Sequence, residues 1–209
     1  EGQQPLIDFT DLIARHGTET ARAYYDADGW LSFHASNLWG FTAPRYPASA
    51  LTREKQRKQI YWNHLPTSGA WLAHNIYEHY AFEQDPAFMR ERIWPILSGS
   101  ADFIVDYLYP HPDGFYTSMA SWSSEHGTIS SGATSDHSIA REILQCSLEL
   151  AGILQLDDSS TREWKQVLDN IMPYRIGRHC QLQEWAEDRD DPNDKHRHIN
   201  HLWGFHPAP

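Results

Sequence analysis

The spacing of apolar residues is helical through most of the chain. Leu6, Phe9 and Ile13 begin a run in which apolar side chains recur every three or four positions, with charged residues between them. An α-helix brings such positions onto one face, so the pattern predicts an amphipathic helix over 5–26. Residues 26–29 should end this helix, because aspartate and glycine favour turns.

Later segments show the same spacing. Asp85 is a good N-cap residue and Pro86 suits the first helical position, so a helix should begin between them. Pro95 lies further along that helix and is expected to kink it, because proline lacks the amide hydrogen that a helix interior needs. The other predicted elements are a loop rich in aromatic residues and proline over 30–66, a helix from about Gly69, and helices over 136–155 and 159–171.

Two of these helix pairs share one layout. Each consists of the end of a helix, an acidic turn and a new helix that carries a tryptophan, and the turns at Asp85 and Asp157 are separated by 72 residues. Such spacing is typical of repeated helical hairpins with functional loops between them. The sequence therefore predicts an all-α fold, either part of an α/α toroid or an ordinary helical bundle.

The charge balance disfavours several classes of partner. With 17 Lys and Arg against 28 Asp and Glu, the formal net charge is −11, which is unsuited to neutralising phosphates. We therefore expect neither a nucleic acid nor an anionic membrane as partner. Nine tryptophans and thirteen histidines favour a neutral ligand such as a sugar, although most of the tryptophans are expected to fill the core.

The cysteines and the chain ends say little about the compartment. Cys146 and Cys180 are too few for a disulfide scaffold, and the helical surroundings of Cys146 predict a buried free thiol. No apolar run approaches the roughly 20 residues of a membrane span, and no signal-peptide pattern opens the sequence. The first residues, EGQQP, and the last, WGFHPAP, do not look like natural termini. We interpret the chain as a fragment.

Polar and aromatic residues that no helix face requires are concentrated in three loops. The loops are GWLSFHASNLWG (29–40), SWSSEHGTISSGATSD (121–136) and CQLQEWAEDRDDPNDKHRHINHLWGFHP (180–207). Loops on a rigid scaffold often carry chemistry, and three loops on one rim of a toroid would form a single pocket. Glu125 lies in the second loop among small hydroxyl residues, with no lysine or arginine nearby in the sequence.

Five blocks of the sequence together point to a known family. They are GWLSFHASNLWG, SGAWLAHNIYEHYAFEQDPAFM, TSMASWSSEHG, GATSDHSIAREIL and IGRHCQLQEWAEDRDDPNDKHRHINHLWGFHP. The blocks resemble, in order, the catalytic domain of family-95 glycoside hydrolases, the 1,2-α-L-fucosidases and α-L-galactosidases. The resemblance implies an (α/α)6 barrel flanked by β-domains. It also implies hydrolysis, with inversion, of terminal α-L-fucosyl linkages in a fucosylated oligosaccharide or glycan, and a secreted or periplasmic location. Residues 1–209 would be a partial catalytic domain, without the β-domains and part of the barrel.

The resemblance assigns the general acid to Glu125, whose block SSEHG matches the family's Ser-Pro-Glu. A general acid must be uncharged to protonate the glycosidic oxygen, and an apolar site without a basic partner favours the uncharged form. Trp122 and the neighbouring serines would supply such surroundings. Two positions depart from the family pattern, with Ser124 in place of proline and Ser135 in place of methionine before Asp136. The alternative for Glu125 is a solvated loop carboxylate that caps the next helix.

The resemblance also implies a set of sugar-contacting residues. It assigns Arg197 and His198 to the hydroxyl groups of the sugar, since the guanidinium is a fixed fork of donors. His34 and Trp39 would complete the pocket, with the indole against the fucose ring and its methyl group. The alternative for Trp39 is a place in the core.

The histidines of HRHINH could instead bind a metal ion. His196, His198 and His201 stand two and three positions apart, and Glu184 or Asp188 could complete a ligand set, since imidazole and carboxylate groups suit Zn²⁺. The motif is not HExxH, and the nearby acidic residues could act simply as partners of the imidazoles. We therefore expect no metal and no cofactor, and we expect Glu184 and Asp188 to lie behind the sugar contacts or in solvent.

The general base of the family has no counterpart in these residues. The resemblance implies a base built from an Asn-x-Asn pair and an aspartate in a Gln-Ile-Asp-Gly-Asn block, and neither motif occurs in the sequence. The chain is therefore expected to hold the acid half of a site and to be inactive by itself. Two other functions stay open. One is a different sugar-active toroid enzyme, either an inverting glycosidase or a polysaccharide lyase, and the other is a non-catalytic carbohydrate-binding remnant.

Overall fold

The computed structural model describes residues 2–44, 64–80, 82 and 84–208, so most of the predicted loop 30–66 lies outside the described residues. Within these ranges the α-helices are α1 Gln4–Tyr25, α2 Ser68–Tyr80, α3 Trp94–Tyr107, α4 Thr134–Ile153 and α5 Ser159–Asp169. Shorter helical pieces are Pro86–Phe88, the π-helical Met89–Ile93 and the 3₁₀-helical Asn200–Gly204. The strands are β1 Leu108–Pro110, β2 Tyr116–Ser121 and β3 Ser130–Ser131.

The helices follow the predicted periodicity. The bounds of α1, α4 and α5 agree with the predicted ones to within two residues. Asp85 is the N-cap of Pro86–Phe88, as predicted, and its Oδ1 accepts a hydrogen bond from the amide of Ala87 at 2.9 Å. The predicted helix is divided, because the π-helical turn Met89–Ile93 separates Pro86–Phe88 from α3. Pro95 itself lies in the first turn of α3, where the missing amide hydrogen is not needed.

A small antiparallel sheet corrects the all-α expectation. Its strand order is β1-β2-β3, with Leu108 opposite Ser118 and Met119 opposite Ser131. β1 and β3 have only 3 and 2 residues, too few to display the alternating pattern by which strands are recognised in a sequence, and the six residues of β2, YTSMAS, do not alternate. The helical part of the fold prediction is confirmed, and the sheet was not foreseen.

α3 and α4 form the centre of the packing. α3 contacts α1, α2, α4 and α5, while α4 contacts α2, α3, α5 and the 3₁₀ segment. Residues 134–140 at the start of α4 are all buried. By contrast, α5 buries one face, formed by Thr161, Trp164 and Val167. An α/α toroid and an ordinary helical bundle both have central helices covered on most sides and peripheral helices covered on one side.

The segment that follows α1 is hydrogen-bonded to α3 through Trp30. The indole Nε1 donates a hydrogen bond to Ile96 O at 2.8 Å, and the backbone amide donates to Gly99 O at 3.0 Å. Gly29 has a φ of +68°, and a Cβ there would stand 1.9 Å from Gly99 O, so a side chain does not fit. These contacts hold the start of the loop 29–40 against the core.

Burial confirms two predictions about single residue types. Most of the tryptophans lie in the core, and Cys146 is a buried free thiol, whereas Cys180 is exposed. Among the helices of the described ranges, none has the length and the apolar character needed to span a membrane. Among the residues that the structure describes, the buried tryptophans are Trp30, Trp122, Trp164, Trp185 and Trp203.

Candidate active site

Glu125 lies in the loop between β2 and β3, on a turn whose base is buried. Trp122 and Ser123 are buried immediately before it. The amide of His126 donates to Ser123 O at 2.7 Å and closes the turn, which places Glu125 in the left-handed region with a φ of +41°. The side chain of Glu125 is 30% exposed, so its carboxylate is presented to solvent from a buried base.

Two basic side chains stand beside the Glu125 carboxylate. Nη2 of Arg197 lies 2.5 Å from Oε2, and Nε2 of His198 lies 3.5 Å from the same oxygen. The expectation that Glu125 has no basic partner is therefore wrong, because residues distant in the sequence supply one. The capping alternative is also wrong, since α4 follows its N-cap residue Ala133 without a side-chain cap.

Hydrogen bonds join the Glu125 loop to the segment that carries these basic residues. Nδ1 of His198 lies 2.8 Å from Ser124 O. The side-chain amide of Asn200 donates to Ser123 Oγ at 3.1 Å and also to Ser124 O. The imidazole of His198 is thus fixed through one ring nitrogen while the other faces Glu125.

Glu184 lies beneath the loop as a buried carboxylate. Its Oε1 accepts a hydrogen bond from Ser123 Oγ at 2.5 Å, and its Oε2 lies 2.9 Å from Nδ1 of His126 and 3.5 Å from Nδ1 of His201. Burial by itself raises the pKa of Glu184, but His201, Ser123 and His126 together outweigh it and hold the pKa below its usual value. The carboxylate is therefore ionised although it is buried.

His126, next to Glu125, is enclosed by acidic and aromatic groups. Its Nε2 lies 2.7 Å from Oδ2 of Asp194, and its ring stacks on that of His196 with 4.5 Å between centroids. Partial burial lowers the pKa of His126, but the hydrogen bonds with Asp194 and Glu184 outweigh it, so the pKa lies above its usual value. The two carboxylates on opposite sides of the ring favour the doubly protonated imidazolium.

A cavity of about 560 Å³ opens beside this cluster. An indole face surrounded by hydrogen-bonding groups is a lining suited to a neutral polar ligand. His198 connects the cavity with Glu125, because it belongs to the lining and lies 3.5 Å from the carboxylate. The lining includes His126, Glu184, Trp185, Asp194, His196 and His198.

Asp136 fixes the end of β2, from which the Glu125 loop departs. It is 1% exposed, and its carboxylate accepts hydrogen bonds from Ser121 at 2.7 Å, Tyr107 at 2.9 Å and Thr67 at 3.0 Å. Burial raises the pKa of Asp136, and these three hydrogen bonds oppose the rise. One buried side chain of α4 thereby joins β2, the end of α3 and the start of α2.

A comparison with known families decides the relationship of the chain. The profile of the glycosyl hydrolase family 95 catalytic domain matches residues 1–209, the whole of the sequence. The chain belongs to this family. The match confirms the resemblance that the five sequence blocks carry.

Two curated relatives of this family 95 chain have fucosidase names. "Alpha-L-fucosidase 2" of Arabidopsis thaliana is 31% identical over 218 residues, which cover 100% of the chain and 25% of the relative. "Probable alpha-fucosidase A" of Aspergillus niger is 30% identical over 211 residues, which cover 92% of the chain and 24% of the relative. The family 95 chain therefore spans about a quarter of the length of these relatives.

A solved structure shares the fold of the family 95 chain. "Putative kojibiose phosphorylase from human microbiome" superposes with a TM-score of 0.63 over 86% of the chain and 26% of its own length. The sequence identity is 12%, so this similarity concerns the fold alone.

His34 and Trp39 lie in the loop that follows α1 of the family 95 chain. Trp39 is 78% exposed, so the core alternative for its indole is wrong, and its amide donates to Asn37 Oδ1 at 3.0 Å. Among the described residues, no hydrogen bond or ring contact joins either side chain to Glu125. Their place in a sugar pocket stays a prediction.

The three histidines of the HRHINH motif contact different partners in the family 95 chain. His196 stacks on His126, whereas Nδ1 of His201 lies 3.5 Å from Oε2 of Glu184. His198 is bound to a backbone carbonyl. These three imidazoles do not converge on one point, so the geometry does not favour the metal alternative at this motif.

Among the described residues, three potential metal ligands do lie together elsewhere in the fold. They are His74 on α2 and Glu142 and Cys146 on α4. Oε1 of Glu142 lies 3.5 Å from Nδ1 of His74 and 3.3 Å from Sγ of Cys146. Burial, and then the charge of Glu142, raise the pKa of the Cys146 thiol far above its usual value. The thiol is therefore protonated and unreactive, as suits a core group.

The sequence-based reasoning missed the central position of Glu184. The alternative that it lies in solvent is wrong, since it is 3% exposed. A local signal was present, because Glu184 directly precedes a tryptophan in QLQEW, within an otherwise acidic and polar loop. An apolar neighbour of that size indicates a segment that packs inward.

Proposed function

We propose that this chain is part of an (α/α)6 catalytic domain and supplies the general acid of an inverting glycoside hydrolase. The substrate would be a glycan with a terminal 1,2-linked α-L-fucosyl or an α-L-galactosyl residue, and Glu125 would protonate its glycosidic oxygen. Family membership and the fucosidase names of the two relatives support the substrate class. The fold similarity to the phosphorylase and the packing around α3 and α4 support the barrel.

The observation that carries the proposal is the grouping of Glu125, Arg197 and His198. A carboxyl on a fixed turn, 30% exposed, stands next to a guanidinium and an imidazole. An inverting glycosidase needs a carboxyl within hydrogen-bond reach of the glycosidic oxygen, together with donors that orient the hydroxyl groups of the sugar. Arg197 is a donor of this kind. Nδ1 of His198 is engaged by Ser124 O, so Nε2 is the ring nitrogen that would contact the sugar.

The ion pair must open before Glu125 can act as an acid. A guanidinium against a carboxylate stabilises the ionised form, and an acid must carry a proton. We propose that hydroxyl oxygens of the substrate accept the N–H groups of Arg197, which frees the carboxyl to take up a proton. Arg197 is 72% exposed, so its displacement does not disrupt the core.

The proton then passes from Glu125 to the glycosidic oxygen as the bond from C1 to that oxygen breaks. A water molecule attacks C1 from the opposite face and inverts its configuration. We assign no residue of this chain to the activation of that water. His34 and Trp39 complete the proposal as further sugar contacts, the latter through its exposed indole face.

The variant Glu125→Gln tests the proposal in a full-length protein that contains this segment. Glutamine keeps the size of the side chain and removes the acidic proton. Hydrolysis of a 2′-fucosylated oligosaccharide should fall by a factor of about 10² to 10⁴, the usual contribution of general acid catalysis. Hydrolysis of α-L-fucosyl fluoride should fall far less, because fluoride leaves without protonation.

Glu187→Gln is the matched control, since Glu187 is an exposed carboxylate in a neighbouring loop and, among the residues that the structure describes, forms an ion pair only with Arg189 at 3.1 Å. It should leave both rates unchanged. Equal losses on both substrates in Glu125→Gln would contradict the role of general acid.

A further inference from the structure

Glu184 contacts the residues on both sides of Glu125. Ser123, two positions before Glu125, donates to Oε1 of Glu184 at 2.5 Å. His126, one position after Glu125, bonds to Oε2 at 2.9 Å. A single buried carboxylate, 4% exposed, thus holds both ends of the short segment that carries the candidate acid.

The backbone of Glu184 is itself anchored to the core. The amide of Thr134 donates to Glu184 O at 3.0 Å, and the hydroxyl of Thr134 donates to Gln183 O at 2.6 Å. Thr134 is the first residue of α4, whose first turns are buried. Glu184 therefore links the start of α4 to the Glu125 loop through hydrogen bonds.

The Glu125 turn needs such support. A non-glycine residue with a φ of +41° occupies an unfavourable backbone region, so surrounding contacts must hold it there. Residues 122–129 belong to no helix or strand that could supply them. Proton donation in turn requires the carboxyl to stay within hydrogen-bond reach of the glycosidic oxygen.

We propose that Glu184 is a positioning residue that acts through Glu125, by clamping Ser123 and His126 so that the acid points at the glycosidic oxygen. The inference rests on the proposed function, because it presupposes that Glu125 is the acid. Glu184 belongs to the lining of the cavity, but its two carboxylate oxygens are engaged by Ser123 and His126. As an ionised carboxylate it accepts a hydrogen from Ser123 at Oε1 and from His126 at Oε2, whereas an amide would place an NH₂ donor at one of these two positions.

The test is Glu184→Gln in the full-length protein, alone and combined with Glu125→Gln. A misplaced acid harms only the steps that need its proton, so kcat on the 2′-fucosylated oligosaccharide should fall about 10²-fold, with little change in KM. The rate on α-L-fucosyl fluoride should change by less than about threefold. In the Glu125→Gln background, Glu184→Gln should add no further loss on the oligosaccharide, because the group through which it acts is already absent.

Asp102→Asn is the matched control for a merely structural effect. Asp102 is a partly buried carboxylate that accepts a hydrogen bond from the indole of Trp164 at 2.9 Å, on α3 and outside the loop cluster. Its variant keeps an acceptor oxygen for the indole, and it should leave the ratio of the two rates unchanged whatever its melting temperature. If Glu184→Gln lowers both rates equally, as a purely structural change would, the inference is overturned.

Additive losses in the double variant would also overturn the inference, since they would show that Glu184 acts independently of Glu125. If Glu184→Gln does not fold, Ser123→Ala removes one of the two clamped contacts and should reproduce the selective loss on the oligosaccharide. Failure of the two proposals is distinguishable. If the loss in Glu125→Gln does not depend on the leaving group, the proposed function is refuted. If the loss depends on the leaving group in Glu125→Gln but not in Glu184→Gln, only the positioning role is refuted.

Discussion

The guanidinium of Arg197 lies against the carboxylate of Glu125, with Nη2 2.5 Å from Oε2, although the two residues are 72 positions apart in the sequence. Arg197 is largely exposed, and exposed ion pairs contribute only about 0–1 kcal/mol to stability. The contact is therefore weak enough for a ligand to displace. This suits the proposed role of Arg197, in which the guanidinium leaves the carboxylate of Glu125 and binds the sugar.

Replacing Arg197 with alanine should weaken sugar binding irrespective of the leaving group. Hydrogen bonds from a charged donor are worth about 1.5–3 kcal/mol, so kcat/KM should fall by about 10-fold to 150-fold. The loss should be the same on a 2′-fucosylated oligosaccharide and on α-L-fucosyl fluoride, because both present the same sugar. Steady-state kinetics of the full-length protein measure it.

Arg162→Ala is the control for Arg197→Ala, since Arg162 forms an exposed pair with Asp157 at the start of α5. It should leave kcat/KM unchanged. Wild-type kinetics in Arg197→Ala would contradict a sugar contact, and a loss confined to the oligosaccharide would assign Arg197 to the leaving-group side instead.

His126 should make stability depend on pH. Its pKa is raised above 6.5, so the protonated ring stabilises the fold fully below about pH 6.5, and this contribution is lost as the pH rises through the raised pKa. The difference in melting temperature between the wild type and His126→Gln should therefore shrink from about pH 6 to about pH 9. Thermal unfolding monitored by circular dichroism measures it.

His206→Gln provides the comparison for His126→Gln, because the side chain of His206 is exposed. Its effect on the melting temperature should be small at every pH. A difference between wild type and His126→Gln that does not change with pH would show that the carboxylates of Glu184 and Asp194 do not stabilise a charged imidazole.

Gly29→Ala should destabilise the fold by at least about 2 kcal/mol, because the added methyl group meets a backbone oxygen in a left-handed conformation. Its Cβ would stand 1.9 Å from Gly99 O. Gly152→Ala is the matched substitution, since Gly152 lies in α4 with no atom within 4 Å of its ideal Cβ. It should be neutral or stabilise by up to about 1 kcal/mol. Urea unfolding compares the two, and equal effects would contradict the close approach of Gly29 to α3.

Chelation should leave the activity of a full-length protein unchanged. His196, His198 and His201 turn to a ring, a backbone carbonyl and a carboxylate, respectively, so they already have separate partners. The rate on α-L-fucosyl fluoride after exhaustive EDTA treatment and dialysis is the measurement. A rate that falls and is restored by Zn²⁺ would revive the metal alternative.

Local features of the fold could be predicted because local sequence encodes them. The helix bounds follow from apolar spacing, and the N-cap at Asp85 follows from the residue itself and the proline after it. The burial of Cys146 follows from its place on the apolar face of α4. Each of these depends on residues within a few positions of one another, so the sequence alone was sufficient.

The partners within the candidate site came only from the tertiary structure. Neither Arg197 beside Glu125 nor Glu184 beneath Ser123 could be derived from spacing, because about 60 to 70 residues separate the members of each pair. Such contacts depend on how α4 packs against the other helices and where the loops around it meet. The exposure of Trp39 and the short sheet are decided in the same way, by neighbours that a linear pattern does not record. By itself the sequence determined the helices, the family and the candidate acid, and the packing determined which charges surround that acid.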